Sequence, residues 1–189
     1  VGYSSYDIAF LRCILAGVVF FIVKAVTNPK VLKIDFKGIV ICLFYGVCAY
    51  VMGFVCYGIS VERIPVAVAT VLMFMSPIWV AILGVLVFHE KLTKQTVITI
   101  LICILGAALV ANVFSSSGGG MDIIGILAGI LNGFGVALQI MIPRYFAKEY
   151  ERDTLLVYGF LGAALGLFFV TDFQTIVISL KSLEIVSVL

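Results

Sequence analysis

Charge is what this sequence has least of. Asp, Glu, Lys and Arg make up 12% of its 189 residues, against about 25% in a typical soluble domain. A globular fold could not cover its surface from so small a polar stock. That excludes a soluble enzyme, a nucleic-acid-binding domain and a disordered chain. Histidine occurs once, and the five cysteines (Cys13, Cys42, Cys48, Cys56, Cys103) lie in apolar runs with no C-x-x-C pair. Neither a disulfide framework nor a zinc site is supported, no cofactor or metal is expected, and the cysteines read as small buried hydrophobes. The chain starts at Val1 without a basic n-region or cleavage site and ends at Leu189 inside an apolar stretch. It is therefore expected to be an internal piece of a longer protein, without a signal peptide.

What is abundant is apolar: 63% of residues are hydrophobic and the mean hydropathy is +1.27. A helix needs roughly 20 apolar residues to cross the ~30 Å hydrocarbon core. Runs free of Asp, Glu, Lys and Arg extend over Gly38–Val61 (24 residues), Ile64–Phe88 (25), Gln95–Met121 (27), Ile123–Pro143 (21) and Thr154–Thr171 (18). A sixth, Ile8–Val23, is interrupted only by Arg12. The runs are continuously apolar, not alternating, so helices are expected and barrel strands are not. Asp35, Thr93, Asp122 and Asp153 stand where N-caps of four of these helices belong.

The connections alternate in charge. Lys24, Lys30, Lys33 and Lys37 follow the first run, Lys91 and Lys94 the third, and Arg144, Lys148 and Arg152 the fifth. The intervening loops hold Arg63, no basic residue over 115–120, and Lys181. The lysine-rich loops are cytoplasmic by the positive-inside rule. The segment Ser115-Ser116-Ser117-Gly118-Gly119-Gly120 is flexible by composition and divides the chain in two.

The stretch Glu62 to Ala111 resembles the first-repeat signature of the EamA-type drug/metabolite transporters. Ser76-Pro77 lies near mid-span, Ala81 and Leu83-Gly84 follow, Glu90-Lys91-Leu92-Thr93 closes the cytoplasmic end, and Gln95 and Gly106-Ala107-Ala108 come next. Phe10-Leu11-Arg12 with Ala16 is similar to the start of that family's second helix. One departure is Val97-Ile98, where the family usually has a glycine shortly after Gln95. The resemblance implies an all-α integral membrane fold, part of a ten-helix bundle of two inverted five-helix repeats, with helices two to seven present. Residues 1–114 would be a first repeat lacking its first helix, 115–120 the linker, and 121–189 the start of a second repeat. It also implies multi-pass residence in a bacterial inner membrane and efflux of amino acids or related metabolites.

Candidate residues follow from what hydrocarbon does not tolerate. Pro77 falls near the middle of Ile64–Phe88, where it removes a backbone donor and displaces the carbonyl of Met73. An unsatisfied carbonyl in lipid costs several kcal/mol, by rough estimate, so the helix kink should face protein or a wet cavity. That makes Thr70, Met73, Ser76 and Trp79 candidate cavity residues, beside the alternative of a kink used only for packing. In Ile123–Pro143, Gly125, Ala128, Asn132, Gly135 and Gln139 share one helical face. Gly125, Gly129 and Gly133, spaced by four, read as a helix–helix seam. Asn132 and Gln139 need partners, from a cavity or from a neighbouring helix. Gly46, Tyr50, Gly53, Phe54 and Tyr57 form a further face, with Tyr50 the better cavity candidate. Arg12 is the one ionisable residue within a span, a candidate for attracting anions or for snorkelling outward. Glu90, which the resemblance places in the family signature, reads with Lys91 as a structural or gating ion pair.

No Asp or Glu stands at mid-span, which leaves no buried carboxylate for proton coupling in these helices. The same scarcity argues against a membrane-embedded enzyme, which would need a cluster of His, Asp, Glu or Ser. The expected function is transport of a small organic metabolite by alternating access about a midplane cavity. The expected partners are that metabolite and the lipid bilayer, with no nucleic acid, and a homodimer is left open. A non-transporting assembly subunit, or uptake in place of efflux, are the alternatives.

Overall fold

In hydrocarbon no water is at hand for backbone N–H and C=O groups, so a long apolar run must bond them within itself. The computed structural model describes residues 5–32, 34–91, 93–110 and 122–169, and all regular structure among them is helical. The helices are α1 (Ser5–Thr27), α2 (Phe36–Tyr45), α3 (Met52–Arg63), α4 (Val66–Met73), α5 (Ser76–Phe88), α6 (Lys94–Val110), α7 (Ile123–Tyr145) and α8 (Arg152–Phe168). A 3-10 turn, Pro29–Leu32, follows α1, and a π-helical turn, Gly46–Val51, joins α2 to α3. The six expected spans map onto α1, α2–α3, α4–α5, α6, α7 and α8. Four stretches are long and apolar enough to cross a bilayer: Asp7–Thr27, Phe36–Arg63, Val66–Phe88 and Ile123–Tyr145. The later residues of the other two expected spans, and the 115–120 linker, lie outside the described residues.

Three of the four expected caps form. Asp35 accepts from the Gly38 N–H at 3.2 Å, Asp122 from Ile124 at 2.9 Å, and the Thr93 hydroxyl from Thr96 at 3.2 Å. The fourth is a correction: Glu151, not Asp153, holds the cap position of α8, without a side-chain bond. Asp153 lies two residues further in, within the first turn, ion-paired to Lys24 at the end of α1. A carboxylate in that first turn still complements the positive end of the helix dipole.

Ion pairs test the charge-derived topology. Lys24–Asp153 and Glu90–Arg144 each join residues assigned to the lysine-rich side, and Arg63–Asp122 joins two assigned to the opposite side. No ion pair among the described residues joins residues assigned to opposite sides, as antiparallel neighbours require.

The helices fall into two compact units. One comprises the described residues up to Val47 together with those from Ala147 onward, and the other is Cys48–Phe146. In the first, α8 packs against α1 and α2. A Cβ added at Gly46 would lie 2.6 Å from both Ala163 N and Gly159 O, so the two backbones touch there. In the second, α7 is the central helix, packed by α3, α4 and α5. Its glycine seam forms as expected: Cβ atoms at Gly125 and Gly129 would lie 2.8 Å from Ile64 and 2.6 Å from Leu72 side-chain atoms. The buried Ser60 hydroxyl donates to Gly125 O at 3.0 Å, adding a polar tie to the α3–α7 seam.

On the lysine-rich side of the first unit, Tyr150 Oη donates to Asp35 Oδ1 at 2.7 Å. That bond holds the Asp35 carboxyl below its usual range and pushes the Tyr150 phenol up to about 12. The signs differ. Asp35's contribution is present above its ordinary value of 3.8 and is lost as pH falls through its lowered one. Tyr150's is present below 10 and is lost as pH rises through about 12. In an absorbance titration at alkaline pH, Asp35→Ala should return the Tyr150 phenol toward 10. An unchanged titration would show that the bond does not exist in solution.

Candidate functional site

The site is built on a broken helix. The sequence leads to a proline kink inside one helix; the structure instead divides the span in two. α4 ends at Met73, Phe74 and Met75 form a turn, and α5 restarts at Ser76 with Pro77 in its first turn. There the missing proline N–H leaves no gap, because the first donors of a helix have no intrahelical acceptor. The turn is stitched by Phe74 N–H to Thr70 O (3.0 Å), Met75 N–H to Leu72 O (3.2 Å) and Ile78 N–H to Met75 O (3.0 Å). Its backbone rests on Gly133 of α7, where an added Cβ would come within 2.9 Å of Leu72 O. The polar groups of the break are thereby kept against protein, as hydrocarbon demands.

Beside the break lies a cleft of about 530 Å³, within the range of small-molecule sites. Ser76, Pro77, Val80, Ala81 and Val85 of α5 form one wall. Glu90, Lys91, Thr93, Gln95 and Thr96 form the end where α5 passes to α6, and Ile100 and Ile140 complete the lining.

Glu90 reaches this cleft through local geometry. His89 closes α5 in the left-handed conformation (φ 52°, ψ 33°), and the Glu90 N–H bonds back to Gly84 O at 3.2 Å. The Glu90 carboxylate then folds over Gly84, where a Cβ would stand 3.0 Å from its Oε2. A side chain at position 84 would push the carboxylate away. From there Glu90 accepts both guanidinium nitrogens of Arg144, Nη1 to Oε2 at 3.3 Å and Nη2 to Oε1. Arg144 in turn lies 4.7 Å over the Phe88 ring, and Tyr145 packs edge-on against that ring. The sequence reading paired Glu90 with Lys91; the structure gives it to Arg144 and leaves Lys91 on the cleft wall.

Of the expected site residues, Ser76, Pro77, Glu90 and Lys91 line this cleft, and the others are placed elsewhere. The Thr70 hydroxyl donates to Val66 O at 2.8 Å. Met73 is the last residue of α4. Trp79 packs edge-on against Phe134 at 5.4 Å. Tyr50 is buried and stacks with Phe54. Arg12 is exposed on α1 and makes no ion pair among the described residues. Asn132 and Gln139 both face Gly53 across the α3–α7 seam. Gln139 Nε2 donates to Ala49 O in the π turn at 3.2 Å, whereas Asn132 is 3% exposed and its Nδ2 has no acceptor among the described residues. Arg144 and Thr96 were not foreseen. Thr96 was legible as a polar residue three positions after the Thr93 cap, but nothing local marks Arg144 as the partner of Glu90.

Apolar helices, four stretches of them long enough to cross a bilayer and one broken beside a cleft, define a multi-span membrane chain. The chain belongs to the EamA-like transporter family, which it matches over residues 2–112, as the Glu62–Ala111 signature led one to expect. It is similar over 109 residues, 57% of the chain, to an uncharacterized transporter of Helicobacter pylori at 30% identity, covering 36% of that protein. Over 129 residues, 68% of the chain, it is similar to the pseudopaline exporter CntI of Pseudomonas aeruginosa at 27% identity, covering 43% of that protein. The chain thus spans less than half the length of these curated relatives. No solved structure matches it. Family and relatives mark it as part of a multi-pass membrane protein, and the relatives are named as transporters.

Proposed function

We propose that this chain is part of a secondary transporter that moves a small organic metabolite across a bacterial inner membrane by alternating access, in the direction of efflux. The observation that carries the reading is the break at Phe74–Met75, with Ser76 and Pro77 on the wall of the cleft. Discontinuous helices concentrate at transporter sites, where they give a span a place to bend. The exporter named among the relatives supports outward movement, and the resemblance to the family supports amino acids or related compounds as cargo. In this scheme the Glu90–Arg144 pair latches the lysine-rich end of the cleft and re-forms once per cycle. Half-exposed as it is, such a pair holds only up to about 1 kcal/mol and can open readily.

Extracellular metabolite profiling of cells overproducing the protein tests the reading. Ala81 lines the cleft, so Ala81→Trp should fill it and reduce export of the accumulating class by about tenfold or more at equal membrane abundance. Equal accumulation with Ala81→Trp would remove the cleft from the solute's path, and no accumulation with either would remove efflux.

A further inference from the structure

The cleft carries a charge asymmetry. Its lining holds two ionisable side chains, Glu90 and Lys91. Glu90 is neutralised by both nitrogens of Arg144, while Lys91 makes no ion pair among the described residues. The net field on a bound solute is therefore positive. The lining also holds the hydroxyls of Ser76, Thr93 and Thr96, interleaved along α5 and α6 with aliphatic side chains such as Val80 and Ile100. One cation without an acidic partner, among neutral hydrogen-bonding groups and aliphatic surface, suits an anion with an apolar body.

Resting on the transporter reading above, we infer that this cleft selects solutes bearing a carboxylate, with Lys91 as the residue that distinguishes them from neutral isosteres. The ammonium is a point charge on a flexible stem, so it tolerates carboxylates attached to differing bodies. An anionic lipid headgroup would offer Lys91 the same chemistry, and the test must separate the two sources.

Lys94 supplies an internal control: it lies three residues away, carries the same charge and does not line the cleft. The probes are 4-phenylbutyrate and its neutral amide, measured by equilibrium dialysis against the protein in phosphatidylcholine nanodiscs. The acid should bind more tightly than the amide. Lys91→Gln should weaken the acid by about fivefold or more, and Lys94→Gln by less than about twofold. The acid should keep its advantage in discs containing phosphatidylglycerol; its loss there would give the site to a lipid headgroup and overturn the assignment to a dissolved solute. Equal weakening by the two substitutions, or equal binding of acid and amide, would overturn the selectivity while leaving the cleft as the solute's path. Absence of binding by either probe would overturn the inference; export abolished by Ala81→Trp would still stand, since that result does not depend on these probes.

Discussion

Gly46→Ala should cost about 3 kcal/mol or more of stability, although it adds one methyl group. The new Cβ would sit 2.6 Å from Ala163 N and Gly159 O and 2.7 Å from Gly162 C. All three are backbone atoms on α8, so no side chain can swing aside and the two helices must part. The same logic orders a series. At Gly135 the neighbours are Gly53 Cα at 3.0 Å and Ala49 O at 3.3 Å, so Gly135→Ala should cost about 1–2 kcal/mol. At Gly53 they are side-chain atoms of Gln139 and Asn132 at 3.5 and 3.7 Å, an ordinary contact, and little change is expected. Gly106 has nothing within 4 Å among the described residues, and Gly106→Ala should gain about 0.5–1 kcal/mol from helix propensity. Chemical denaturation of the purified variants in one detergent gives the four values; any order other than 46, 135, 53, 106 would contradict the packing described.

Two amides on one face of α7 should respond with opposite sign. Asn132 holds a buried Nδ2 donor with no acceptor among the described residues, and a buried unsatisfied group carries its full desolvation penalty. Asn132→Ala should therefore raise stability by about 1 kcal/mol. Gln139 donates to Ala49 O, in the π turn. Such turns put backbone groups out of step with the α-helical ladder. Gln139→Ala should lower stability by about 1 kcal/mol. The same unfolding assay measures both, and like signs would show that the two residues share one environment. A stabilising Asn132→Ala that also impaired export would mark Asn132 as a residue kept for function at the expense of stability.

Much of the fold was legible because lipid leaves so few choices. Apolar runs marked where the helices lie, four of them in stretches long enough to cross a bilayer, and the alternation of Lys and Arg assigned to common sides the residues that pair, Lys24 with Asp153 and Arg63 with Asp122. Position within a helix was harder to read. Gly46 and Gly53 are seven residues apart, two α-helical turns, and so read as one face. The π turn between them shifts the phase, and Gly46 packs on α8 while Gly53 packs on α7, each within its own unit. No local composition announces a π turn. Pro77 marked a discontinuity, but whether a kink or a break follows depends on Gly133, more than 50 residues away in sequence. Of the cleft, Ser76 was legible as a cavity residue, whereas Glu90 read only as half of an ion pair and its partner was not legible. Lys91 is its neighbour in sequence, yet the left-handed turn at His89 and the notch at Gly84 aim the carboxylate at Arg144.

The central claim is that the break in the α4–α5 span opens on water, not lipid. Ser76→Cys and Ile82→Cys, each in a background with the native cysteines replaced, place a thiol on the cleft wall and on the exposed apolar side of the same helix. A membrane-impermeant maleimide applied from the lysine-rich side of oriented vesicles should label position 76 and leave position 82 unmodified. Labelling of both positions at one rate, or of neither, would contradict it.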